Sequence, residues 1–190
     1  MSDWAVAKFW DSPEANEMAR EISSISGLYC GPAAVGWIAA VWNERKGRRY
    51  DYMSRLKDKS LFPDGPIPFR LRLPGINLSL SKLMQRETNH ELQLSNETYY
   101  RYNTIHDSLR QFEMPVIIRT VAPKLRDGLH YVTLYKSERS LSNNGAKIIK
   151  LYQQDNGLTV NHNQTDAYRT GWTSGFVSGA KRVVEVQVRP

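Results

Sequence analysis

One cysteine, Cys30, in 190 residues excludes an intramolecular disulfide, and no second cysteine or spaced histidine stands beside it as a partner metal ligand. No apolar run approaches the ~20 residues of a membrane-spanning helix. The longest small-and-apolar stretch runs only from Pro32 to Trp42. The opening residues, Met1-Ser2-Asp3-Trp4-Ala5-Val6-Ala7-Lys8, lack a basic segment followed by an apolar one. The expected setting is therefore the cytosol, or export by a route that reads no N-terminal signal. Internal repeats, low-complexity tracts and glycine-rich phosphate loops are absent, and Asn143-Asn144-Gly145 reads as a hairpin turn. Acidic residues are the minority, 19 against 26 Lys and Arg, for a net charge of +7. That excess favours anionic partners, but it is spread along the chain. Its densest stretch, Glu44-Arg45-Lys46-Gly47-Arg48-Arg49, is short and interrupted, which a solvated basic surface explains more simply.

With 41% apolar and 24% charged residues, the chain has the composition of one globular domain. At this length it buries enough surface to fold without a metal or disulfide staple. The first part, about residues 1–90, reads as helical. Asp11-Ser12-Pro13-Glu14 supplies a cap, a Pro for the first turn and an early acid. Ala15, Met18, Ala19 and Ile22 then follow at helical spacing, predicting a helix over 13–23. Gly31-Pro32 opens a second helix, to about Asn43, apolar on every side and so expected to be buried all round. Further helices are predicted at 49–58 and 77–87, separated by a Pro/Gly-punctuated loop from Phe62 to Gly75. The second part, about 91–190, reads as sheet. Leu92 and Leu94 alternate, and Thr98 to Tyr102 reads as a strand edge or lead-in turn. A helix covers 104–113, and strands cover 115–121, 130–136, 147–153 and 183–188. Helices first and strands later predict a single α+β domain with an antiparallel sheet, its two parts meeting along a cleft.

Cys30 lies in Gly27-Leu28-Tyr29-Cys30-Gly31-Pro32-Ala33-Ala34, at the mouth of the buried helix. Unpaired N–H groups and the positive end of the helix dipole stabilise a thiolate there. An inert buried cysteine is the competing reading, since free cysteine is among the most buried residue types. His130 begins the strand Leu129-His130-Tyr131-Val132-Thr133-Leu134-Tyr135, and a base at a strand end can be aimed at a helix N-terminus. If that strand pairs with 147–153 as a hairpin, Asp155, or else Asn156, falls near the start of the His130 strand. Either could then fix the imidazole tautomer. Each residue alone has an ordinary explanation, as core histidine or turn former. Together, each at an element boundary, they favour a nucleophile, a base and an orienting group. Among the other histidines, His106 is placed on the polar side of a helix, and His90 and His162 in polar turns. Tyr99, Tyr100 and Tyr102 beside Arg101 could stack on bases, but aromatic strands are more often core, so nucleic acid is not the expected ligand.

Tyr-Cys-Gly-Pro-Ala-Ala at 29–34, followed by an apolar helix, resembles the nucleophile motif of papain-like cysteine peptidases, closest to the bacteriocin-leader-processing branch. The likeness continues through Met114-Pro115-Val116-Ile117-Ile118, Leu129-His130-Tyr131-Val132 and Gln154-Asp155-Asn156-Gly157, over about residues 22–160. It implies a papain-like fold, no cofactor, and a Cys30–His130–Asp155 triad acting on a protein or peptide substrate. Gly31, Leu129 and Trp172 are candidates for the substrate cleft. One departure stands out. The family usually carries a Gln about six residues before the Cys, completing the oxyanion hole, and here that residue is Ser24. Losing such a donor costs ~10²–10³ in turnover. A rebuilt hole is expected, with the Cys30 N–H as one donor and Ser24, Ser26 or another N–H as the second, supported by Tyr29 or Asn156. The resemblance also extends to toxin domains of bacterial secretion-system effectors, which implies an immunity protein covering the cleft. Two alternatives remain: a peptidoglycan amidase using the same triad, and a non-catalytic binding module on a degenerate peptidase fold.

Overall fold

The computed structural model describes residues 3–25, 30–52, 54, 76–95, 98–99, 102–121, 129–141, 147–154, 165–167 and 182–190. These form a mixed α+β fold with an antiparallel sheet. In chain order the elements are β1 (Asp3–Val6), α1 (Pro13–Ile25), α2 (Cys30–Arg45), α3 (Ile76–Glu87), β2 (Leu92–Leu94), β3 (Thr98–Tyr99), α4 (Tyr102–Phe112), β4 (Val116–Val121), β5 (Leu129–Leu141), β6 (Lys147–Gln154), β7 (Thr165–Ala167) and β8 (Arg182–Val188).

The helices start and stop where side-chain chemistry allows. Ser12 caps α1, its Oγ accepting from the Ala15 N–H at 3.1 Å, and Pro13 follows where no N–H is needed. Ala15, Ala19 and Ile22 then form its buried stripe. In α2, every residue from Gly31 to Asn43 is buried, as its all-round apolar sequence predicts. Trp37 anchors α2 to α1 by donating its indole N–H to the Ala15 carbonyl at 2.7 Å. Gly47 ends the helix with φ of 66°. Its N–H reaches the Glu44 carbonyl at 2.8 Å and the Arg48 N–H reaches that of Asn43 at 2.9 Å, the paired bonds of a Schellman stop. Of the helix expected over 49–58, Tyr52 and Ser54 are helical, with Asp51 Oδ1 accepting from the Ser54 N–H at 2.9 Å. The remainder from 55 on, the loop at 62–75 and the turn at 143–145 lie outside the described residues.

The strands lie in the order β2-β8-β4-β5-β6-β7, with β1 also on β5 and β3 also on β8, every pairing antiparallel. β5 is the spine. Positions 129–134 pair with β4, 136–139 with β1, and 133–141 with β6. A bulge falls between Leu134 and Lys136, and the Ala7 N–H takes up the Tyr135 carbonyl there at 2.8 Å. Ile117, Thr133 and Val184 share one face by register, and Val116, Ile118, Val132 and Leu134 share the other. Side chains of both sets are buried, which requires cover on both faces. α2 meets β5 through the edge-on pair Trp37–Tyr135, ring centres 6.0 Å apart, and α4 meets it through His106 and Ser137.

Two expectations need correction. Residues 3–6 fall within the part that the sequence marks as helical, yet they form β1 and join the sheet. Four residues are too few to show a period, and their strand character comes from pairing with β5. His106 is not on a polar face: it is fully buried with Nδ1 2.7 Å from Ser137 Oγ. The neighbouring Asp107, Arg110 and Gln111 suggested a solvated side, but the helix turns position 106 inward with Ile105 and Leu109.

Candidate functional site

Cys30 is the first helical residue of α2, where main-chain N–H groups of the opening turn have no helical acceptor. Pro32 contributes no N–H, so the free donors of that turn are those of Cys30 and Gly31. An anion is favoured at such a helix start.

Gly31 locates this start within the fold. A Cβ there would lie 3.3 Å from Leu80 Cδ2 and 3.4 Å from Tyr131 Cδ2. The backbone just after Cys30 thus rests between α3 and β5, and the β5 residue it meets is the one just after His130. His130 itself is the second residue of β5 and pairs with Thr120, while Leu129 pairs with Val121. The mouth of α2 and the start of β5 are therefore brought together, although 99 positions separate Gly31 from Tyr131 in the chain. Hairpin pairing of β5 with β6, the condition for a third group near His130, also holds. β6 ends at Gln154, opposite Thr133, three positions along from His130.

Ser24 belongs to the last turn of α1. Asp155, Asn156, Ser26, Tyr29 and Trp172 lie outside the described residues. Sequence reasoning missed Leu80 and Tyr131 as the neighbours that fix Gly31. The available signal was complementarity of size, a residue without a side chain after the cysteine and a bulky one after the histidine. Thr133, fully buried on the same strand, has a hydroxyl with no hydrogen-bond partner among the described residues.

Among the described residues no group of three His, Cys, Asp or Glu side chains could hold a metal ion, and no helix is long and apolar enough to cross a membrane. Comparison with protein families, curated proteins and solved structures finds no match to this chain.

Proposed function

We propose that the chain is a papain-like cysteine peptidase, with Cys30 as nucleophile, His130 as base and Asp155 as the group that orients the imidazole. The observation that carries this reading is the proximity of Gly31 to Tyr131, whose ring would lie 3.4 Å from a Cβ added at Gly31, so that the residues following Cys30 and His130 are neighbours in space. The Tyr-Cys-Gly-Pro-Ala-Ala motif and the β5–β6 hairpin support it.

In the reaction, Cys30 Sγ as thiolate adds to the scissile carbonyl carbon and the carbonyl electron pair moves to oxygen, where main-chain N–H groups of the α2 start stabilise it. Collapse of that adduct breaks the C–N bond, and the His130 imidazolium gives its proton to the leaving amine. Water then loses a proton to His130, attacks the thioester and releases the carboxylic acid with Cys30 restored. The setting suggested by the resemblance is an interbacterial effector toxin, held in check by an immunity protein over the site.

Ser24 in place of the expected Gln favours a second reading, a peptide-binding module without turnover. Thiol chemistry separates the two. Iodoacetamide should alkylate Cys30 with a pH midpoint well below the ~8.5 of a free thiol, and His130→Ala should return the midpoint toward that value. A free-thiol midpoint in the wild type would leave the binding module as the better account. Turnover is tested by comparing new peptide N-termini in a proteome treated with wild type or with Cys30→Ala. Equal products from both would end the peptidase reading.

A further inference from the structure

A cluster of charges away from the Cys30 region joins β1, β5 and α4 around His106. The imidazole has no solvent exposure. Its Nδ1 lies 2.7 Å from Ser137 Oγ on β5, and its Nε2 lies 3.3 Å from Asp3 Oδ2 on β1, without the alignment of a hydrogen bond. Asp3 in turn accepts from Arg110 on α4 and, at 2.8 Å, from Arg139 on β5. Arg139 Nη1 also stands 3.8 Å from Asp107 Oδ1 on α4. α4 further touches β4 and β8. Their described charged side chains are Arg119, which is in register with Tyr131, and Glu185, which is in register with Val116.

With the imidazole neutral, Asp3 and Asp107 balance Arg110 and Arg139. A proton on His106 adds a third cation where no water reaches it, and Asp3 is already shared by two guanidinium groups. β1 is the weakest wall of this enclosure. It has four residues, and β5 is the one strand it pairs with among those described. β5, by contrast, also holds β4 and β6.

We propose that His106 is a pH-responsive latch for the N-terminal strand: the neutral ring holds β1 on β5, and protonation releases β1 while the rest of the sheet stays paired. Burial first, and then the charge of Arg139, hold its pKa below the ordinary 6.5, with Asp107 opposing in part. Because the closed state binds the proton less well than the open one, closure is favoured above about pH 6.5 and weakens as pH falls toward the closed-state pKa. Each unit between the two pKa values is about a tenfold change in the opening equilibrium.

Amide hydrogen exchange, corrected for the intrinsic pH dependence of the rate, tests this directly. Protection of the β1 amides and of Ala7 should fall between pH 8 and pH 5, while that of β4 stays unchanged. His106→Gln, which keeps a polar partner for Ser137 but cannot titrate, should abolish the difference. Should that variant not fold, Asp3→Asn leaves the imidazole in place and removes the balancing anion, so β1 should be loosened already at pH 8. Equal β1 protection at both pH values overturns the proposal. So do a pH effect that persists in His106→Gln, simultaneous loss in β4, or unaltered β1 protection in Asp3→Asn.

Discussion

At position 31 there is room for little more than a methyl group between Leu80 of α3 and Tyr131 of β5. An added Cβ would press first on the end of the Leu80 side chain, which can move, so Gly31→Ala should be nearly neutral, its crowding offset by better helix propensity. Gly31→Leu has no such escape. It should destabilise by about 1–3 kcal/mol in urea unfolding and slow alkylation of Cys30 as Tyr131 is pushed away. The pH profile of Cys30 alkylation with and without His130 tests the proposed pair. A second residue-scale prediction concerns Glu91, which accepts from Arg48 and, at 2.6 Å, from the Trp42 indole. The Arg48 hydrogen bond first, and that of Trp42 second, hold its carboxyl below the usual range. A lowered carboxyl pKa contributes stability above the unfolded-state pKa near 4.5, and that contribution is lost as pH falls through the folded value. Glu91→Gln should thus cost up to about 1 kcal/mol at pH 7 and progressively less below pH 4, read from urea midpoints across pH.

Between elements, helix ends carry the connections. Asn43, buried in the last turns of α2, donates through Nδ2 to the Ala39 carbonyl and to the Glu87 carbonyl at the end of α3, each at 2.8 Å. Asn43→Asp replaces that donor by a second acceptor facing two carbonyls, and a loss of about 1–3 kcal/mol is expected by chemical denaturation. At the end of α4, Glu113 takes φ of 51° while its N–H bonds the Leu109 carbonyl at 3.0 Å, the left-handed stop that glycine fills most easily. Its ion pair with Lys8, 3.5 Å long and largely exposed, contributes little. Glu113→Gly should therefore raise stability by about 0.5–1 kcal/mol, visible as a higher urea midpoint. These helices were readable in advance. Ser12-Pro13, the unbroken apolar run after Pro32 and Gly47 each act within one or two turns, so local sequence carries them. β1 was not readable, because Asp3–Val6 becomes a strand only through residues 130 or more positions away.

Across the whole molecule the sheet is held most firmly at its centre, where β4 lies between β5 and β8 and residues on both of its faces are buried. Amides of β4 should exchange only through global unfolding, whereas those of the short strands β1 and β2 should exchange through smaller openings, a gradient readable at one pH. The division into a largely helical first part and a strand-rich second part was legible from hydrophobic spacing, and so was the placing of Cys30 and His130 at element boundaries. Apolar periodicity and turn chemistry act over a few residues, and they alone settle where α1, α2 and β4 run. Contacts between distant segments are different. That Gly31 meets Tyr131, that His106 is enclosed with Asp3 and Ser137, and that β1 joins β5 all depend on packing between surfaces that no local pattern encodes. Each of these pairings rests on the shape, charge or backbone hydrogen bonds of segments far apart in the sequence.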